Sequence, residues 1–271
     1  MIARGAQAVA RGLGPPERER FRRDGVLFPV SVLAGQEVAA LSALLAEVER
    51  GVAALGGEPR RIALPHLYWR WAYDLATHPA VLDAVESLLG PDLLIQATMI
   101  LTKPAHDPAL VTWHQDGTYS GLHKTPNATA WIALTASTPE NGCMRVVPGS
   151  QRNPILPHVE SQAEHHLLRH SPEVAVAVDE AEAVDVVLRA GEMSLHHSNI
   201  IHGSNPNLSD GRRSGFIVRF VTPALAAGGH AVVRARGGAG CGHLRLLAQP
   251  PPDDLAAGLS RWAADAALRP S

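Results

Sequence analysis

From about residue 92 the chain becomes a series of short apolar, β-branched runs separated by turn residues, with no stretch of helical period between them. The runs are LLIQATMILTK (93–103), LVTWHQD (110–116), ATAWIALTAS (128–137), CMRVVPGS (143–150), AVAVDE (175–180), AVDVVLRAGEMSLHH (183–197) and RSGFIVRFVTP (213–223). Parallel strands are joined by crossovers that are usually helical, and these connections carry no helical pattern. Strand following strand predicts an all-β core, a β-sandwich or jelly roll.

The segment ahead of this core reads differently. MIARGAQAVARGLGPP interrupts its apolar positions with Arg4 and Arg11, so it lacks a signal-peptide core, and residues 1–16 are expected to be a flexible leader. Residues 17–271 are expected to form a single domain. VLFPVSVL predicts a strand, and residues 35–55 place Val38, Leu41, Leu44, Leu45 and Val48 at helical spacing. A second helix follows in THPAVLDAVESLLGP, with Thr77 as N-cap and Gly90-Pro91 as its stop. The domain thus divides into a helical elaboration over about 35–90, the β core over about 92–222 and a C-terminal extension over 223–271. Within it, residues 157–172 and 225–243 read as long loops, and DDLAAGLSRWAADAAL as a terminal helix capped by Asp253 or Asp254.

Composition narrows the partners. With 271 residues, 46% of them hydrophobic, the chain can bury a full core. Its net charge of −2 and the lack of a basic stripe argue against nucleic acid and anionic membranes, and no run approaches the roughly 18 apolar residues of a membrane span. Cys143 and Cys241 are too few for a disulfide framework or a cysteine-rich zinc site, which suggests a reduced, cytoplasmic setting. Lysine occurs only at Lys103 and Lys124 among 24 basic residues, a bias of GC-rich coding that suggests a bacterial source. A small molecule is the expected partner.

The stretch TWHQDGTY (112–119) carries the first chemistry. On a strand, residues two apart point the same way, so His114 and Asp116 would converge while Gln115 points elsewhere. Two ligands hold a metal weakly; a distant third histidine would complete the two-His, one-carboxylate face that leaves three positions open on non-heme Fe(II). Downstream, EMSLHHSNIIHGSNPNLSDGRRSGFIVRF offers His196, His197 and His202, then an arginine-bearing strand. Arginine's fork suits the far carboxylate of 2-oxoglutarate, a co-substrate that chelates iron through its keto acid end. Arg213 is the candidate. Arg219 shares its strand parity, and Arg212 faces the other way; both read as structural or surface ion pairs.

Three ordered segments, WHQDGTY, TAWIALTASTPENGCMRVVPGSQ and GEMSLHHSNIIHGSNPNLSDGRRSGFIVRF, resemble the phytanoyl-CoA dioxygenase family of Fe(II)/2-oxoglutarate oxygenases over roughly residues 75–222. The resemblance implies a double-stranded β-helix, the cupin-like jelly roll. It implies that His114, Asp116 and His202 bind Fe(II), with 2-oxoglutarate and O2 as co-substrates. Arg213 would hold the far carboxylate, with Ser204 beside it, Trp131 lining the same pocket and Lys103 matching a lysine common in the family. Its spacing to Arg213 selects His202 over His196 and His197. Gln151 departs from the family's usual histidine. Family members that halogenate carry a small residue at the position of Asp116, so the resemblance implies hydroxylation or a related oxidation, with release of succinate and CO2.

Tyr119, His123, Lys124 and His197 are candidate substrate contacts. The segments 60–75, 117–128 and 157–172 also contain His66, Arg70, His165, His166 and Arg169, which suggests a small polar molecule: a bacterial natural-product intermediate or an aminophosphonate-like metabolite. Two other readings share the same residues, a non-catalytic jelly-roll module that binds a small acid or metal, and a cupin-like metalloenzyme that needs no 2-oxoglutarate.

Overall fold

The computed structural model describes residues 12–118, 122–168, 172–226, 231–247 and 250–267. The helices are α1 (Pro15–Asp24), α2 (Gly35–Ala54), α3 (Arg70–Ala76), α4 (Pro79–Leu89) and α5 (Leu255–Ala267). The first strands are β1 (Val26–Ser31), β2 (Arg61–Ala63), β3 (Leu93–Lys103), β4 (Val111–His114), β5 (Asn127–Ala133), β6 (Met144–Val146) and β7 (His158–Glu160). They are followed by β8 (Pro172–Val174), β9 (Val184–Asp185), β10 (Glu192–His196), β11 (His202–Ser204), β12 (Arg213–Val221), β13 (Ala231–Arg236) and β14 (Arg245–Leu246).

An 8-stranded sheet runs β1-β10-β5-β12-β3-β13-β14, with β2 beside β3, and a 4-stranded sheet runs β4-β11-β6-β9. This is the expected jelly roll, an all-β core flanked by helices. Alternation along the central strands decides which side chains face which way. On β12, Phe216, Val218 and Phe220 join the core beneath the helices, beside Leu41 and Leu45 of α2 and Val81 and Val85 of α4. Arg213, Ile217 and Arg219 point to the opposite face, where Trp131 and Thr129 of β5 and Met99 and Leu101 of β3 also lie. The helical elaboration therefore seals one face of the large sheet and leaves the other for a cavity.

Several boundaries differ from expectation. Pro15 and Pro16 open α1, and Leu13 is buried with its N–H donated to Ser87 Oγ, so residues 13–16, expected in the flexible leader, are ordered parts of the fold; residues 1–11 lie outside the described residues. His78, not Thr77, caps α4: its ring nitrogen accepts from Ala80 N–H, while Thr77 Oγ1 turns back to the Tyr73 carbonyl. The run 175–180 forms no strand, whereas β13 lies inside the expected loop at 225–243, because β3 offers it an open edge at Leu93–Ile95. Asp254 caps α5 by accepting from Ala257 N–H.

Candidate metal centre and cavity

His114 and His202 stand opposite each other in the antiparallel pairing of β4 and β11, with ring centroids 4.1 Å apart. Each ring donates from Nδ1 to the carbonyl two residues earlier, His114 to Thr112 at 2.9 Å and His202 to Ile200 at 3.0 Å. Fixing the proton on Nδ1 leaves both Nε2 lone pairs for a shared ligand.

Asp116 reaches the same point by a different route from the expected strand parity. The strand ends at His114, and Asp116 opens a short 3-10 turn over Asp116–Thr118. Gly117 N–H anchors that turn to the Ser198 carbonyl at 2.8 Å, and a Cβ at Gly117 would strike Asn199 and Ile155. One ligand atom from each of His114, Asp116 and His202 then lies within 4.8 Å of the other two.

The donor chemistry fits a divalent metal. Burial, followed by the charge of His114, pushes the His202 imidazole well below its usual range, so it is neutral. For Asp116 burial pushes upward, but the Arg219 guanidinium, followed by the neighbouring His114, holds the carboxyl well below the usual carboxylate range. Two imidazoles and one ionised carboxylate, with no thiolate, make a facial set suited to Fe(II).

A basic end of the cavity lies further along β12. Arg213 is buried, and its Nε has no hydrogen-bond partner. Its guanidinium stacks over the Trp131 ring at 5.3 Å, in space that Gly215 leaves because a Cβ there would enter that ring. Burial lowers Arg213 only to about 10, so it stays a cation at neutral pH. A buried cation with an open donor fits a carboxylate. Ser204 lines the cavity beside it and accepts from Lys103 Nζ at 2.8 Å; Lys103 also donates to the Asn205 carbonyl.

Residues 21–215 match the phytanoyl-CoA dioxygenase (PhyH) family. The chain belongs to this family. It is 29% identical over 177 residues to the probable alpha-ketoglutarate-dependent hypophosphite dioxygenase of Stutzerimonas stutzeri, covering 63% of this chain and 61% of that protein. Among solved structures, the apo non-heme monooxygenase ThoJ superposes with a TM-score of 0.77 at 36% identity, covering 93% of this chain and 98% of that one. The epimerase SnoN in complex with Fe3+, alpha ketoglutarate and nogalamycin RO gives a TM-score of 0.62 at 26% identity over 77% of this chain and 83% of that one.

In this PhyH-family chain the triad and Arg213 border one cavity of about 380 Å³. Ala97, Met99, Leu101, Val111, Leu168 and Ile217 build an apolar wall along it, and Arg61 also lines it. The polar residues expected at the substrate do not. His66 is buried on Thr98 Oγ1, Arg70 pairs with Asp74, and His166 accepts from Thr112 N–H. His123 and Lys124 are exposed away from the cavity lining, as is His165. Tyr119 and Arg169 lie outside the described residues.

His197 is also displaced from the expected role: its Nδ1 accepts from Asn199 N–H and it does not line the cavity. His196 does, packed 5.1 Å from the His202 ring and pushed down to about 4 by burial. Arg212 pairs with Glu49, as expected of a structural ion pair. Arg219 makes an ion pair too, but its partner is Asp116, at 2.8 Å. Its strand parity with Arg213 was the available signal. Gln151 ties its loop to α1 by donating to the Arg22 and Arg23 carbonyls.

Proposed function

We propose that this protein is an Fe(II)- and 2-oxoglutarate-dependent oxygenase that hydroxylates, or otherwise oxidises, a small molecule. The observation that carries the reading is the shared cavity, with a His114–Asp116–His202 ligand set and the buried, unsatisfied Arg213 both facing it. Family membership, a relative named as an alpha-ketoglutarate-dependent dioxygenase and a similar structure solved with Fe3+ and alpha ketoglutarate support it.

His114, Asp116 and His202 would hold the iron. Iron with 2-oxoglutarate supplies the oxidant, consuming O2 and releasing succinate and CO2. The residues of this chain do the positioning. Arg213 binds the far carboxylate of 2-oxoglutarate as a two-pronged donor, with Trp131 fixing the plane of its guanidinium and Ser204 offering a hydroxyl alongside. Lys103 orients Ser204 from behind. The apolar wall from Met99 to Ile217 keeps water from the reacting centre and receives the part of the substrate to be oxidised.

That wall refines the substrate class. A bacterial natural-product intermediate remains the first candidate, now as a molecule that presents an apolar segment towards the triad. An aminophosphonate-like metabolite would need its charged groups held outside this wall, where Arg61 is a further basic residue of the lining.

The test is succinate release from 2-oxoglutarate by Fe(II)-loaded protein across a panel of such compounds. Substrate-stimulated release that disappears in His202→Ala supports the reading. Tight 2-oxoglutarate binding with no release above that variant, for any compound, would show a binding module, and activity that survives Arg213→Gln without 2-oxoglutarate would show an enzyme independent of it.

A further inference from the structure

Asp116 divides its two carboxylate oxygens between different partners. Oδ1 lies 3.7 Å from His114 Nε2, while Oδ2 accepts from Arg219 Nη2 at 2.8 Å. We propose that Arg219 is a positioning residue that restricts Asp116 to a single metal-binding oxygen; this rests on the reading of the triad as a metal centre.

The strand register places it. Arg219 sits opposite Ala97 of β3 and Thr129 of β5, both small, so the guanidinium has room to cross the cavity face towards the turn that carries Asp116. Gln96 Oε1 lies 3.4 Å from Nη1 and steadies the fork. The pair is largely buried, with side chains 18% and 11% exposed, so solvent competes weakly for either partner.

The consequence concerns coordination positions. A carboxylate can bind a metal through one oxygen or both. Two histidines and a one-oxygen carboxylate leave three positions of an octahedron. A chelating keto acid would use two of them, which would leave one for O2. If Asp116 turned both oxygens to the metal, that last position would be lost. A charge-assisted hydrogen bond to Oδ2 must break before the carboxylate can turn, and the guanidinium would then be left without its ionic partner. Arg219 therefore keeps a position open without touching the metal, a role beyond the structural ion pair read from its sequence position.

The experiment is a set of crystal structures of the full chain loaded with Ni(II) and 2-oxoglutarate, for the wild type, Arg219→Met and Arg219→Lys. The expected result is one Asp116 oxygen on nickel in the wild type, with Arg219 still on the other; two in Arg219→Met; and one again in Arg219→Lys. In parallel, nitric oxide binding to the Fe(II)- and 2-oxoglutarate-loaded proteins, read by electron paramagnetic resonance, should weaken at least about 10-fold in Arg219→Met and recover in Arg219→Lys. One-oxygen binding with undiminished nitric oxide affinity in Arg219→Met overturns the proposal. Should that variant not fold, the wild-type structure decides alone: Oδ2 on the metal, or Arg219 turned away from it, overturns it. Failure of Ni(II) to bind at His114, Asp116 and His202 in the wild type would instead refute the metal centre itself.

Discussion

Lys103 of β3 and Arg213 of β12 stand directly opposite each other in the strand register, two buried basic side chains at one end of the cavity. Like charges placed opposite on a sheet repel. The fold relieves this through the lysine, which burial and then the charge of Arg213 push down to about 6. As a neutral amine it keeps donors for Ser204 and Asn205, and of the two Arg213 alone carries a charge into that end of the cavity.

A pH signature follows. The folded-state value of Lys103 lies below its unfolded one, so between the two the unfolded chain binds the extra proton and stability rises with pH. The contribution is lost as pH falls through about 6. Relative to Lys103→Met, the wild type should gain up to ~1.4 kcal/mol of stability per pH unit within that window. Urea unfolding of both proteins at about pH 6.5 and about pH 8.5 checks it; parallel curves would refute the neutral lysine.

His66 should mark the acid side. It is 2% exposed, pushed down to about 4 by burial, and bonded through Nδ1 to Thr98 Oγ1 at 2.7 Å. Because the folded value lies below the unfolded one, its stabilisation is present above about pH 6.5 and lost as pH falls through about 4. The full loss is about 3 kcal/mol on this basis. His66→Gln should start less stable at neutral pH and lose less on acidification, as read by thermal melts across that range.

Replacing Arg213 with glutamine keeps a polar group but removes the charge and the fork. The apparent affinity for 2-oxoglutarate should fall roughly 30-fold or more, in line with the loss of one partner of a buried charge pair. Ni(II) affinity should hardly change, since Arg213 is not in the ligand set. Calorimetric titration of each ligand separates the two effects, and equal losses in both would indicate a general collapse of the site.

Gly215→Ala tests the stacking of Trp131 on Arg213 without changing charge. The added methyl would overlap the indole ring, and overpacking of this kind costs about 1–3 kcal/mol. The ring must shift, so 2-oxoglutarate binding should weaken along with a lowered melting temperature. Unchanged affinity would mean that Trp131 does not set the orientation of Arg213.

Much of the site was legible in the linear sequence. The candidate metal set and Arg213 are chemically demanding positions, and their residue types, order and spacing point to one kind of centre. The route was not always the real one: Asp116 meets His114 through a 3-10 turn anchored on Ser198, where alternation along a continuous strand was expected. Polar residues near the motif misled in another way. His66, His123, Lys124 and His166 stand in the right segments, but hydrogen bonding or solvent takes each of them away from the cavity.

What the sequence determined by itself was the class of fold and the identity of the candidate ligands, because strand patterning and donor chemistry are local properties of the chain. Only the tertiary structure decided that Arg219 meets Asp116, that His196 rather than His197 borders the cavity, and that the wall is apolar. Those relationships join β12 to the turn after β4, and β10 to β11, across two packed sheets. They depend on register and on the facing of the sheets, which arise when distant segments pack and are not written in the spacing of any one of them.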